Sequence, residues 1–203
     1  MISCLLVEGP SYSGKSTSII ETLGINVKKA GGFLTCRMEG PNQEIQGFYQ
    51  CKPEYFIALN EPIRREYENV FLKLRPGASE TCRPVWDESV LRTFTLQRVL
   101  RNLEYPFFIL DEIGGLELML PEFSEALLGL VNSGRPMVGV WKSPENSERM
   151  ALNLHLGDSY AKIYQRVRRE LLGNPLVTLT KIEEGGGAAW KKALSTWCDT
   201  YVE

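Results

Sequence analysis

The chain has 203 residues, 43% of them hydrophobic and 24% charged, with 23 Lys+Arg against 25 Asp+Glu and a formal charge of −2. That balance suits one folded core and shows no basic excess of the kind a dedicated nucleic-acid binder carries, although a local basic patch stays open. The five cysteines, at 4, 36, 51, 82 and 198, form no CxxC pair, and no run of 18 apolar residues occurs, so a zinc knuckle, a disulfide scaffold and a membrane span are not expected.

The first residues lack a cationic stretch before an apolar run, so a signal peptide is not expected and a cytoplasmic protein with reduced thiols is. Residues 2–8, ISCLLVE, form an apolar run that stops at Gly9 and predict a buried strand. Ile19, Ile20 and Leu23 fall on one helical face after Ser16, and Gly24 ends that helix. GGFLTCRMEG and QEIQGFYQ flank the turn GPN and predict a hairpin; PEYFIALNEP reads as one more strand. Residues 63–87 are mixed, with a strand over Val70–Leu74 inside a surface excursion. Residues 87–103 carry a broad apolar stripe at helical spacing, with Asp87 placed to cap the helix.

After Pro106, FFILDE is apolar without alternation, as in a strand covered on both faces. PEFSEALLGLVNSG predicts a helix with Pro121 in its first turn and Gly134 as its stop. PMVGVW is another buried strand, residues 145–172 two helices broken near Gly157, PLVTLTKI a strand, and AAWKKALSTWCDTYV a closing helix. Strand and helix alternate for most of the length, and no linker divides the chain. The expectation is an α/β fold, specifically a P-loop NTPase three-layer α/β/α sandwich, with a mostly parallel sheet, an added β-hairpin and a single domain over residues 1–203.

The chemistry is concentrated in GPSYSGKS, residues 9–16. Gly9, Gly14, Lys15 and Ser16 fill the pattern G-x-x-x-x-G-K-[ST], between a strand and a helix. Glycines let the backbone N–H groups converge on phosphate oxygens, and the helix adds its positive end. Gly9, Pro10, Ser11, Tyr12, Ser13, Gly14, Lys15, Ser16 and Thr17 are therefore the expected cradle for ATP or another nucleoside triphosphate. Lys15 reaches the β and γ phosphates, and Ser16 gives its hydroxyl to Mg²⁺. Asp111, at the end of FFILDE, is the expected second magnesium partner, and Glu112 beside it the residue that orients a water. A further cation is sought among Arg64, Arg65, Arg149, Arg166, Arg168 and Arg169, or from a partner subunit. His155 is read as structural. Trp141 is read as a packing residue with base stacking as the alternative, and a contact from Lys142 to phosphate or base is a lesser alternative of the same standing.

Taken together, these motifs resemble the THEP1-like nucleoside-triphosphatase family, small P-loop proteins related to the RecA-like ATPase group. GPSYSGKST is similar to the family's GxxGxGKTT opening. GGFLTCRMEGPNQEIQGFYQ is similar to its GFYT…R…GxxxGF segment, through Gly32, Phe33, Thr35, Arg37, Gly47 and Phe48. LDEIGGLELMLPEF is similar to IDEIGKMEL…F, through Asp111, Glu112, Ile113, Gly114, Glu117, Leu118 and Phe123. VGVWKS is a looser match to the family's LGTxH-type strand end. The resemblance implies Mg²⁺-dependent hydrolysis of several nucleoside triphosphates, slow and weakly base-selective. It also implies a place for Arg37 near the nucleotide, and for Glu117 an anchoring role in its loop. Two departures bear on rate and base preference: Gly115 and Leu116 stand where the family has lysine and methionine, and Trp141–Lys142 where it has histidine or threonine.

Two other classes stay open. A nucleotide or small-metabolite kinase would use the same loop and an arginine-rich lid over residues 60–87, with Arg64, Arg65, Arg75 and Arg83. A nucleotide-dependent switch or adaptor would bind protein or RNA through the basic helix around Arg166–Arg169. There is no NKxD, so a guanine-specific pocket is not expected. A monomer is favoured, with a nucleoside triphosphate as its partner and no membrane.

Overall fold

The computed structural model describes residues 2–57, 69–74, 84–100, 105–182 and 187–202. Strand β1 (Cys4–Glu8) is buried at every position, because parallel neighbours flank it on both sides: β7 (Met137–Trp141) and β8 (Val177–Lys181). An unbroken apolar run is what such a position requires. Helix α1 (Lys15–Leu23) follows the glycine loop and turns Ile19, Ile20 and Leu23 inward. Gly24, at φ 51°, ends it and opens a 3₁₀ turn to Lys29.

The hairpin is present as β2 (Ala30–Glu39) and β3 (Ile45–Cys51). The strand expected from PEYFIALNEP is instead a short helix, α2 (Pro53–Ile57), and the rest of that stretch lies outside the described residues. Pro53 has no N–H for a sheet ladder but loses nothing at a helix start, where the first donors have no partner inside the helix. Strands β4 (Val70–Lys73) and β5 (Val85–Trp86) follow.

The helix expected over residues 87–103 begins as α3 (Glu88–Val90), passes through a π-helical turn (Leu91–Leu96) and resumes as α4 (Gln97–Leu100). Asp87 caps it: Ser89 N donates to its carboxylate at 2.9 Å. Next come β6 (Phe107–Ile113), α5 (Pro121–Asn132), β7, α6 (Pro144–Leu154), α7 (Gly157–Leu172), β8 and α8 (Ala188–Tyr201). Ser143 caps α6, and Pro121 opens α5 as its position predicts.

The eight strands form one sheet in the order β5-β4-β3-β2-β6-β7-β1-β8. From β2 to β8 all pairings are parallel; β3, β4 and β5 extend the sheet antiparallel. The expected hairpin addition is thus a three-stranded extension. Alternation along β6 sends Phe108 and Leu110 to one core, shared with Phe123, Leu127 and Val167 on α5 and α7. Phe107 and Ile109 go to the other, shared with Ile19, Trp190 and Leu194 on α1 and α8. Helices therefore cover both faces, which completes the three layers. Among the described residues, no helix is long and apolar enough to cross a membrane.

Candidate active site

The central strands run in the order β2-β6-β7-β1 and in parallel, so their carboxyl ends open on one edge, where ligands bind in such sheets. The loop after β1 turns into α1 at Gly14, which sits in the left-handed region at φ 73°. Gly9 lies so close to the neighbouring chain that a Cβ would come within 2.7 Å of the Ile182 carbonyl oxygen. Lys15 is buried, and its ammonium donates to the Gly9 carbonyl at 3.1 Å, to the Pro10 carbonyl and to Ser13 Oγ at 3.1 Å. Burial holds the Lys15 ammonium below the usual lysine range, against the opposing pull of Glu112 and Asp111.

Asp111 and Glu112 owe their aim to a break in the β6 ladder. Leu110 pairs with Gly139 and Ile113 with Trp141, so two residues of β6 face one of β7. The bulge places Glu112 at φ 59°, a conformation a glutamate seldom takes. Adjacent side chains that a regular strand would send to opposite faces instead both line one cleft.

Ser16 Oγ donates to Asp111 Oδ1 at 2.7 Å, Thr35 N to Asp111 Oδ2 at 3.3 Å, and Thr35 Oγ1 to the Asp111 carbonyl at 3.2 Å. Burial, and then the charge of Glu112, push the Asp111 carboxyl up to about 7. Burial works to raise Glu112, but the ion pair with Lys142, together with the charges of Lys15 and Arg37, outweighs it and holds that carboxyl below its ordinary value. A serine hydroxyl and a carboxylate are hard oxygen donors of the kind a small divalent cation such as Mg²⁺ takes. The donor set fits that ion.

The loop after β6 is held from beneath. Glu117 Oε1 accepts from both Gly114 N and Gly115 N, each at 2.7 Å, which is the anchoring role expected of it. The Tyr160 hydroxyl donates to the Gly114 carbonyl at 2.6 Å, and the Tyr164 hydroxyl to the Lys142 carbonyl at 2.6 Å. These tyrosines were not singled out in the sequence; only their spacing of four on α7, which puts them on one face, could have signalled them. Gly115 lies beside that anchor: a Cβ there would come within 2.8 Å of Glu117 Oε2, the far end of a side chain, so the space does not by itself demand glycine. Replacing Glu117 by Ala leaves two N–H groups without their acceptor. We expect denaturant unfolding to show a loss of about 2 kcal/mol or more, while the Gln variant, which keeps one carbonyl acceptor, loses less.

The other sequence candidates divide. Arg37 extends from β2 over the phosphate loop, its guanidinium 3.7 Å from the centre of the Tyr12 ring. Arg149, on α6, reaches the same cleft and donates to Asn146 Oδ1 at 2.7 Å. Arg168 turns inward to pair with buried Glu8 at 2.6 and 3.1 Å, and Arg166 faces Glu170 at 4.0 Å. The basic run therefore does not form one free stripe. Arg64, Arg65, Arg75 and Arg83 lie outside the described residues. Trp141 is 1% exposed, and its indole N–H donates to the Tyr164 hydroxyl at 3.0 Å, so it packs and offers no face to a base. Lys142 meets Glu112. His155 closes α6 in the left-handed region at φ 53°, a structural role as expected.

The cleft has a volume of about 980 Å³ and runs from residues 11–17 past Asp111, Glu112 and Lys142 to Phe48, Phe71 and Met150. An NTPase family model matches residues 78–177, the stretch that carries Asp111, Glu112, Glu117 and Lys142. The fold is similar to the crystal structure of THEP1 from the hyperthermophile Aquifex aeolicus. The TM-score is 0.57 and the identity 17%, over 96% of this chain and 98% of that one. A search of curated proteins found no match.

Proposed function

Family match and fold together support a THEP1-like NTPase, and on that premise we propose that the chain hydrolyses nucleoside triphosphates to diphosphate and phosphate with Mg²⁺. The observation that carries this reading is the 2.7 Å hydrogen bond from Ser16 to Asp111. It joins the phosphate loop to the bulged end of β6, and this supports a reading in which Glu112 faces the γ-phosphate.

In this reading the N–H groups of residues 9–14 and the start of α1 cradle the phosphates. Lys15 gives its charge to the β and γ oxygens, and Ser16 and Asp111 are the residues that would hold the metal. A magnesium ion bound there would supply charge neutralisation to the phosphates. Glu112, ionised and steadied by Lys142, accepts a hydrogen bond from a water and turns its lone pair toward the γ-phosphorus. The new P–O bond forms as the bond to the β-bridging oxygen breaks, the water's proton passes to Glu112 and on to solvent, and nucleoside diphosphate leaves. Arg37 and Arg149 are the cations available to the transferring group. In the same reading residues 1–203 form a single P-loop NTPase domain, with a monomer favoured and a cytoplasmic location. The missing NKxD argues against a guanine-specific pocket, while weak base selectivity and slow turnover rest on the family resemblance alone.

Replacing Glu112 by Gln keeps the shape and removes the charge that orients water. Nucleotide affinity should stay close to that of the parent, while phosphate release falls at least about tenfold. A variant that turns over at the parental rate removes Glu112 from the reaction. Phosphate appearing on an added nucleoside, with little free phosphate, would replace hydrolysis with a kinase reaction.

A further inference from the structure

Cys36 on β2 and Cys51 on β3 project from the same face of the hairpin, with their sulfurs 3.7 Å apart. The ladder pairs Leu34 with Cys51, Thr35 with Gln50 and Cys36 with Tyr49, so the two cysteines are diagonal neighbours that straddle the Thr35–Gln50 pair. Both members of that pair serve the site. Thr35 holds Asp111 through its N–H and its hydroxyl. Gln50 is 2% exposed, lines the cleft and accepts a hydrogen bond from Thr95 in the π-helical turn. Cys36 and Cys51 are both only partly buried, which leaves a small molecule a route to a sulfur.

We propose that Cys36 and Cys51 form a reversible disulfide that loosens the hold of β2 on Asp111. The oxidant is a small disulfide, RSSR. The Cys36 thiolate attacks one of its sulfurs and expels RS⁻, which takes up a proton. The Cys51 thiolate then attacks the Cys36 sulfur of the mixed disulfide, and the second RSH leaves. Two protein thiols and RSSR thus become one protein disulfide and two RSH.

A bond of about 2.05 Å brings the sulfurs closer, and diagonal partners start with α-carbons about 7–8 Å apart, beyond the roughly 7 Å that a bridge spans without backbone movement. Closure therefore draws β2 and β3 together across Thr35 and Gln50, and its cost falls on the contacts that fix Asp111. A strained bridge of this kind is also easily reduced, in keeping with the transient, redox-sensing disulfides found in reducing compartments.

The effect on turnover rests on the triphosphatase reading; formation of the bridge does not. The full chain is treated with oxidised glutathione, mapped by mass spectrometry of unreduced peptides, and assayed for Mg·ATP hydrolysis and Mg·ATP binding. The expected result is a peptide pair joined between Cys36 and Cys51, with hydrolysis lowered at least about fivefold and restored by dithiothreitol. Cys51→Ser should keep the reduced protein's rate and lose the response. Bridges to Cys82 instead, mixed disulfides alone, or a bridged protein that binds and hydrolyses like the reduced one would overturn the proposal. A reduced protein that releases no phosphate would overturn the triphosphatase reading instead, and the peptide map and binding titration would still decide the bridge.

Discussion

Lys15→Ala should lower phosphate release by roughly 10²–10³-fold, the usual effect of deleting one preorganised donor to developing charge. The side chain is 7% exposed, and its ammonium already meets three oxygens of its own loop, so it is confined where the phosphates would sit. Alanine is the best helix former and stands here at the first position of α1. The variant should therefore keep its far-ultraviolet circular dichroism and a melting transition near that of the parent. Loss of turnover with the fold retained identifies a binding and catalytic role. Loss of both would mean that the lysine mainly secures the loop.

Asp111→Asn should separate activity from stability in opposite directions. Asparagine keeps the size and both contacts, its amide oxygen accepting from Thr35 N and its NH₂ donating to the Ser16 hydroxyl, but it removes the charge the metal needs, so turnover should fall by about 10²-fold or more. The Asp111 carboxyl is raised to about 7 by burial first and by Glu112 second. A carboxyl raised on folding disfavours the native state once the pH exceeds its unfolded value, and the penalty grows up to the folded value and then levels off. At pH 7.5 the neutral asparagine avoids that penalty, so its melting temperature should equal or exceed that of the parent. A clearly lower melting temperature would show that the charge of Asp111 is paired better than its burial implies.

Much of the site was legible because its parts are local. GPSYSGKS carries its chemistry within eight residues, and FFILDE announces a buried strand ending in a carboxylate. The pairing of Glu112 with Lys142 was not legible: thirty residues separate them, and they meet only because β6 and β7 are neighbours with a bulge between Leu110 and Ile113. Trp141 read as a packing residue with stacking as the alternative, and its burial, with the indole N–H on the Tyr164 hydroxyl, removes the alternative. Arg168 belonged to a basic run in the sequence, but the buried carboxylate of Glu8 on β1 claims it. In the fold, Pro53 overrode a β-rich segment, and the π-helical turn at Leu91–Leu96 left no mark on the apolar stripe. Gly115 stood out only as a departure from the family pattern, and the structure adds that its backbone N–H is one of the two donors that Glu117 holds.

The most direct test is phosphate release by the purified chain with Mg²⁺ and, separately, ATP, GTP, CTP and UTP, beside Lys15→Ala under the same conditions. Hydrolysis as the native reaction predicts release from all four nucleotides at rates within about one decade of one another, dependent on magnesium and lost in the variant. Equal release by the parent and Lys15→Ala with every nucleotide would contradict it.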